Sequence, residues 1–129
     1  MHLPAKQIEA ILNLPGPRRY DHFIKVVADR GSVWVLSSDR GLAMVATEEG
    51  LEAISLWPAE EYAQRLEDSL PQGNFPLEIS LGDFLVNLAS SADRAGKVFI
   101  VFPVSPGVGV IPDSNILVSD IRNELSRIE

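Results

Sequence analysis

Three runs of β-forming residues, separated by two short turns, lie within residues 32–57, SVWVLSSDRGLAMVATEEGLEAISLW. The turns end in Gly41 and Gly50. Glycine adopts the positive φ that tight hairpin turns require, so each turn can join two antiparallel neighbours. The three runs are residues 32–37, 42–47 and 51–57. We therefore predict a three-stranded antiparallel meander at the centre of the fold.

Two helices are predicted before this meander. The first spans residues 4–14, with Ile8 and Leu12 at the i, i+4 spacing of one helix face. The second begins near Pro17 and ends near Gly31. Proline suits the first turn of a helix, and glycine suits the position just after its last turn.

The rest of the chain alternates helices with strands. Pro58 opens a third helix, and Ser80 with Asp83 resembles a capping box at the start of a fourth. The later predicted elements are strands at residues 77–79, 97–104 and 108–111, a turn at residues 105–107, and a helix at residues 114–128. The strand at residues 97–104 is apolar on both faces, which predicts cover by helices or by a second copy of the chain.

This order of elements predicts one α+β domain over residues 1–129. We expect a mixed sheet of about five to six strands, built on the meander and packed by about five helices. The chain length is close to the common size of a single domain, and no linker or repeat divides it.

The charge of the chain is acidic and unevenly distributed. Lys and Arg number 11 and Asp and Glu number 18, which gives a net charge of −7. Residues 1–30 carry +2 and residues 31–129 carry −9. An acidic surface disfavours binding to phosphate backbones, so we expect no nucleic-acid partner. No apolar run is long enough to span a bilayer, and no signal-peptide pattern is present, so we expect a cytoplasmic protein without a membrane partner.

The residues available for chemistry are few. The chain has no cysteine, which excludes disulfides and cysteine nucleophiles. Its two histidines, His2 and His22, do not have the spacing of metal ligands. We therefore predict no catalytic residues, no metal and no cofactor, and a protein that is more plausibly not an enzyme.

Four residues are candidates for binding: Trp57, Tyr62, Arg19 and Arg40. Trp57 stands at a predicted strand-to-helix corner, and Tyr62 follows within the helix. Aromatic rings serve both protein cores and binding surfaces, so the sequence leaves open whether these two are buried or exposed.

Several short motifs occur in an order that resembles a known family. They are residues 19–29 (RYDHFIKVVAD), Val33-Trp34, Glu49-Gly50, Leu56-Trp57-Pro58, Glu61-Tyr62-Ala63, Phe102-Pro103, Gly107 and Val110. This order is similar to the bacterial family called domain of unknown function 2750, from about Tyr20 onward. The resemblance implies a small bacterial cytoplasmic α+β domain and brings no established activity.

Two hypotheses about function remain. The first is a non-enzymatic interaction or regulatory protein with an unknown protein partner, for which the sequence also leaves room for a homodimer. The second is a small-molecule-binding domain or an enzyme with an unrecognised site. A deep pocket with convergent polar groups would favour the second hypothesis, and a flat or apolar patch would favour the first.

Overall fold

The computed structural model describes residues 3–67, 73–105 and 108–128. Helix α4 covers residues 81–94 and consists of an α-helical turn at Leu81–Asp83, a π-helical segment at Phe84–Leu88 and an α-helical end at Ala89–Arg94. The other helices are α1 (Ala5–Leu12), α2 (Gly16–Arg30), α3 (Glu60–Glu67) and α5 (Ser114–Ile128). The strands are β1 (Ser32–Ser38), β2 (Gly41–Leu42), β3 (Val45–Ala46), β4 (Glu52–Leu56), β5 (Phe75–Ser80), β6 (Val98–Ser105) and β7 (Val108–Val110).

Two predicted helix boundaries are confirmed by their hydrogen bonds. Gly31 follows α2 with a φ of 75° and donates its N–H to the carbonyl oxygen of Val27. Ser80 precedes α4, and its hydroxyl oxygen accepts the N–H of Asp83 at 3.1 Å. Both ends satisfy backbone groups that a helix leaves unpaired.

Helix α3 begins at Glu60, two residues later than the predicted start at Pro58. The reason is that Trp57 still belongs to the sheet, where it forms an isolated antiparallel bridge with Trp34. Each of the two tryptophans donates its backbone N–H to the other's carbonyl oxygen at 2.9 Å. Residues 58–59 are therefore needed to turn the chain from the strand into the helix.

The strands form two sheets, in the orders β2-β1-β5 and β3-β4-β6-β7, which the Trp34–Trp57 bridge joins. All neighbours are antiparallel except β4 and β6, which are parallel. The structure thus confirms the α+β class, a mixed sheet (β3-β4-β6-β7) and a three-stranded antiparallel sheet (β2-β1-β5). Seven strands are present where about five to six were expected. One reason is that the middle run of the meander is divided.

The divided middle run passes from one sheet to the other. Leu42 in β2 pairs with Ser37 of β1, and Val45 in β3 pairs with Ala53 of β4. Each piece has only two residues because the run changes its partner after Leu42.

The core lies on both faces of β1, β4 and β6. Neighbouring residues of β6, Ile100 and Val101, are both almost fully buried, although they point to opposite faces. Because these exposed fractions are those of a single chain, other elements of the same chain cover both faces of the sheet. Within the described residues, no helix combines the length and apolar character needed to cross a membrane. Of the predicted turn at residues 105–107, residues 106 and 107 lie outside the described residues.

Candidate functional site

The register of β6 against β7 is irregular between Val101 and Ser105. Within this irregularity, which we call the β6 bulge, Phe102 has a φ of 55° and is fully buried. A bulky residue with positive φ is an outlier, and it persists only where the surroundings determine it strongly. The contacts around the bulge therefore define the candidate site.

Two side chains hold the backbone of the bulge. Arg19 donates its Nε–H to the carbonyl oxygen of Phe102 at 3.2 Å, and a second Arg19 N–H bonds to the carbonyl oxygen of Leu14. Trp57 donates its indole N–H to the carbonyl oxygen of Pro103 at 3.1 Å. The carbonyl groups of Phe102 and Pro103 thereby each accept a hydrogen bond from a side chain.

Aromatic rings pack on the same bulge. The ring of Tyr62 lies with its centroid 4.6 Å from that of Phe102, and the ring of His22 lies 6.2 Å from it. Three of the four binding candidates, Arg19, Trp57 and Tyr62, therefore meet at the β6 bulge.

Arg40 does not join them. It lies exposed in the turn after β1, where its backbone N–H donates to the hydroxyl oxygen of Ser38 at 3.2 Å. Ser38 is four residues beyond Trp34 along the strand, a separation of about 13 Å. The sequence alone does not show that Arg40 lies far from the other three candidates in space.

Trp57 and Tyr62 are both core residues, with exposed fractions of 0% and 2%. The sequence left open whether these two rings are buried or exposed; the structure buries both, and Pro58 and Ala59 at the strand-to-helix corner are buried as well. The two rings differ in one respect. The indole N–H of Trp57 has its acceptor, whereas the Tyr62 hydroxyl has no hydrogen-bond partner among the described residues.

A cavity of about 350 Å³ lies beside the bulge, between α1, α3 and the end of β6. We call it the Tyr62 cavity; its lining residues are Leu12, Tyr62, Arg65, Leu66, Pro103 and Val104. A buried hydroxyl without a partner costs about 1–3 kcal/mol. An occupant of the cavity that accepted a hydrogen bond from Tyr62 would recover this cost.

The two polar side chains among the described lining residues, Tyr62 and Arg65, both present hydrogen-bond donors. Burial raises the pKa of the Tyr62 phenol, and the charge of Glu61 raises it further, so the phenol keeps its proton at neutral pH. Arg65 is the one charged residue among the lining residues described. Its Nη2 lies 2.6 Å from Oε1 of Glu9, and both side chains are about half exposed.

Helix α1 forms the outer wall of the cavity through Leu12. It is attached by the buried Ile8 and by the Leu3 backbone N–H, which donates to the carboxylate of Glu61 at 2.7 Å. The Glu9–Arg65 ion pair adds a third attachment between α1 and α3.

A larger groove of about 400 Å³ lies between α2 and α5, and four of its polar side chains are already paired. The Tyr20 hydroxyl donates to the carboxylate of Asp120, and Arg127 lies 3.7 Å from Glu124. Burial and this hydrogen bond raise the pKa of Tyr20, which keeps the phenol protonated. The groove therefore contains no unsatisfied group comparable to the Tyr62 hydroxyl.

Sequence reasoning missed Arg65 and the β6 bulge. Arg65 follows Tyr62 by three residues, a spacing that puts both on one helix face and could have indicated it. The positive φ of Phe102 has no counterpart in the sequence, because it depends on Arg19 and Trp57, which are distant in the chain. Among the residues described, no group of three or more potential ligands could hold a metal ion.

Comparisons with known proteins add a family and no activity. Neither the curated proteins nor the solved structures include a match to this chain. Residues 20–121 match the model of a family described as Protein of unknown function (DUF2750), so that α1 precedes the matched region. Because the match covers most of the sequence, the chain belongs to this family.

Proposed function

We propose that this chain is a non-catalytic domain that binds a small organic ligand in the Tyr62 cavity. The observation that carries the proposal is the Tyr62 hydroxyl, which is buried without a partner among the described residues and belongs to a residue that lines the cavity. Protein interiors rarely leave such groups unsatisfied, and unsatisfied groups often have a functional explanation. A cytoplasmic location in a bacterium remains part of this proposal.

The size and character of the cavity support a small ligand. Its volume of about 350 Å³ is at the lower end of the range for ligand pockets. Four of the six described lining residues are apolar, and Tyr62 and Arg65 add one hydroxyl and one guanidinium. This combination is typical of sites where apolar contact gives affinity and a few polar groups give orientation.

The same residues argue against catalysis. The described lining contains no histidine and no carboxylate, so it lacks a general base. Tyr62 cannot replace one at neutral pH, because burial raises its pKa above the ordinary value. The cavity is therefore suited to binding without turnover.

A panel of anionic, cationic and neutral small molecules tests the proposal by amide chemical shifts in NMR spectra. We expect at least one probe to shift the amides of residues 62–66, Phe102 and Val104 in the wild type. Tyr62→Phe removes only the hydroxyl and should weaken that probe by about fivefold or more. Tyr20→Phe is the matched control, since its hydroxyl lies at the other groove, and should bind as the wild type does.

Two results would contradict the proposal. One is that no probe in the panel perturbs these amides. The other is that Tyr62→Phe binds every cavity probe as tightly as the wild type, which would make the hydroxyl irrelevant to the site.

A second candidate function is interaction with a basic protein partner. Val108 and Ile111 are 56% and 40% exposed, and they line a shallow depression together with Glu48 and Glu49. An apolar patch beside acidic residues suits a partner with apolar and basic side chains. In a native pull-down, a specific partner should be lost with Val108→Ser and released by salt; a partner retained by this variant would contradict the candidate.

A further inference from the structure

We propose that the ligand of the Tyr62 cavity is a small organic carboxylate, which takes the place of Glu9 on Arg65. This inference rests on the proposed function and specifies its ligand class.

The first step concerns the donors and acceptors of the site. Arginine has no acceptor, and a protonated tyrosine presents its O–H as a donor. The described lining carries a positive charge and no negative one. A ligand that satisfies both Tyr62 and Arg65 must therefore accept hydrogen bonds, and a negatively charged acceptor does so more strongly than a neutral one.

The second step concerns what Arg65 already binds. Its guanidinium contacts the carboxylate of Glu9 at 2.6 Å, so the half-exposed guanidinium is accessible to a carboxylate. This internal carboxylate comes from α1, the helix that also supplies Leu12 to the wall. Glu9 thus occupies the position that we assign to the ligand's carboxylate.

The third step concerns the cost of the exchange. Exposed ion pairs contribute little to stability, and both members of this pair are about half exposed. Releasing Glu9 into water is therefore inexpensive. Helix α1 keeps its other attachments, the buried Ile8 and the bond from Leu3 to Glu61, so the wall of the cavity persists.

The remainder of the ligand should be apolar and short. Beyond Tyr62 and Arg65, the described lining residues are Leu12, Leu66, Pro103 and Val104. Butyrate and benzoate are suitable probes, and butanamide and benzamide are their neutral counterparts with nearly the same shape.

The test is a titration of these four probes, followed by NMR, against the wild type and two variants. Glu9→Gln removes the competing carboxylate and should tighten butyrate or benzoate by about two- to fivefold. Arg65→Gln should weaken the carboxylates by about tenfold or more and leave the amides nearly unchanged. Arg65→Lys keeps the charge without the planar fork and should give an intermediate loss.

Matched controls separate these effects from a change in net charge. Glu52→Gln removes an equivalent carboxylate from the Lys97 ion pair, and Arg94→Gln removes an equivalent guanidinium from the end of α4. Neither residue lines the cavity, so both variants should bind the probes as the wild type does.

Three outcomes would overturn the inference, and they differ from a failure of the proposed function. If the amides bind as tightly as the carboxylates, or if Arg65→Gln has no effect on the carboxylates, the ligand class is wrong while the site stands. If Glu9→Gln leaves carboxylate affinity unchanged, Glu9 does not compete. If none of the four probes binds the wild type but other members of the panel do, the proposed ligand class is wrong. If no member of the panel binds, the proposed function itself fails.

Discussion

Phe102 connects local strain with the candidate site. Among the described residues, it is the non-glycine position with positive φ, and its side chain is fully buried. Its conformation is maintained by the Arg19 hydrogen bond and by the packing of Tyr62 against its ring. A buried phenylalanine in strand β6 was predictable from the sequence, whereas its backbone conformation was not, because no local pattern encodes it.

Arg19 should stabilise the protein more than its neighbour Arg18. Arg19→Met keeps most of the apolar stem but removes the donors to Phe102 and Leu14, so we expect a loss of about 1–3 kcal/mol in the free energy of unfolding. Arg18 is exposed, and Arg18→Met should change stability by about 0.5 kcal/mol or less. Urea denaturation measures both; equal midpoints would mean that Arg19 does not support the bulge.

His22 should make stability fall in mild acid. Burial lowers its pKa below 6.5, and the charges of Arg30 and Lys25 lower it further, so the folded state binds a proton less readily than the unfolded chain. The stabilising effect of the neutral ring is therefore fully present above pH 6.5 and is lost as the pH falls from there through the lower pKa of the folded state. Comparing melting temperatures at different pH values for the wild type and His22→Gln tests this. An equally steep acid decline in the variant would assign the effect to other groups.

At the scale of elements, boundaries encoded by local chemistry were predictable and those set by distant contacts were not. Gly31 ends α2 and Ser80 caps α4 as expected, because each acts on backbone groups within a few residues. The middle run of the meander divides because it changes partner from β1 to β4, which no local pattern indicates. The π-helical segment Phe84–Leu88 was likewise not predicted.

Strand β5 lies at an edge of its sheet, and its outer side is protected by Pro76. Trp34 directs its backbone groups to Trp57, and Leu36 accepts the N–H of Ala43, so both residues face away from β5. Pro76 is opposite Leu36 in the register and therefore turns its own backbone to the free edge. Because proline has no N–H, it weakens pairing of this edge with another chain.

Restoring a backbone N–H at position 76 should promote self-association of the chain through the edge of β5. Pro76→Thr supplies an N–H and a β-forming side chain, while the exposed Phe75 and Leu77 remain available for contact. We expect a concentration-dependent increase in sedimentation coefficient for this variant. Pro76→Lys, which supplies the N–H but adds a charge, is the control and should remain like the wild type. If Pro76→Thr sediments as the wild type does at every concentration, the proline does not protect the edge.

For the whole molecule, the sequence indicated the class of fold and part of the site. Its binding candidates included Arg19, Trp57 and Tyr62, which the fold brings to one bulge. It did not identify the cavity, because a cavity depends on how α1, α3 and β6 are arranged relative to one another. The segregated charge, +2 in residues 1–30 and −9 beyond, concerns association and does not determine this arrangement.

Helix α1 should detach without unfolding the rest of the molecule. It precedes the region matched by the family model, and Ile8 is its one fully buried side chain, with Leu12 partly buried. Ile8→Asp places a charge in an apolar contact, which a short helix can relieve by leaving the surface. Amides of residues 5–12 should then lose about tenfold or more of their hydrogen-exchange protection, whereas amides of β4 and β6 should keep theirs.

The same variant connects α1 to the site. Since Leu12 forms part of the wall and Glu9 competes for Arg65, detachment removes an apolar contact and a competitor together. Loss of the Leu12 contact should weaken binding more than loss of Glu9 as a competitor strengthens it. Burial of a leucine side chain contributes about 1.5–3 kcal/mol, and an exposed ion pair contributes about 0–1 kcal/mol. A cavity probe should therefore bind Ile8→Asp more weakly than the wild type, while Lys6→Asp, a charge change on an exposed position of α1, should leave it unchanged. Tighter binding by Ile8→Asp would reverse this ranking and make α1 chiefly a competitor for the cavity.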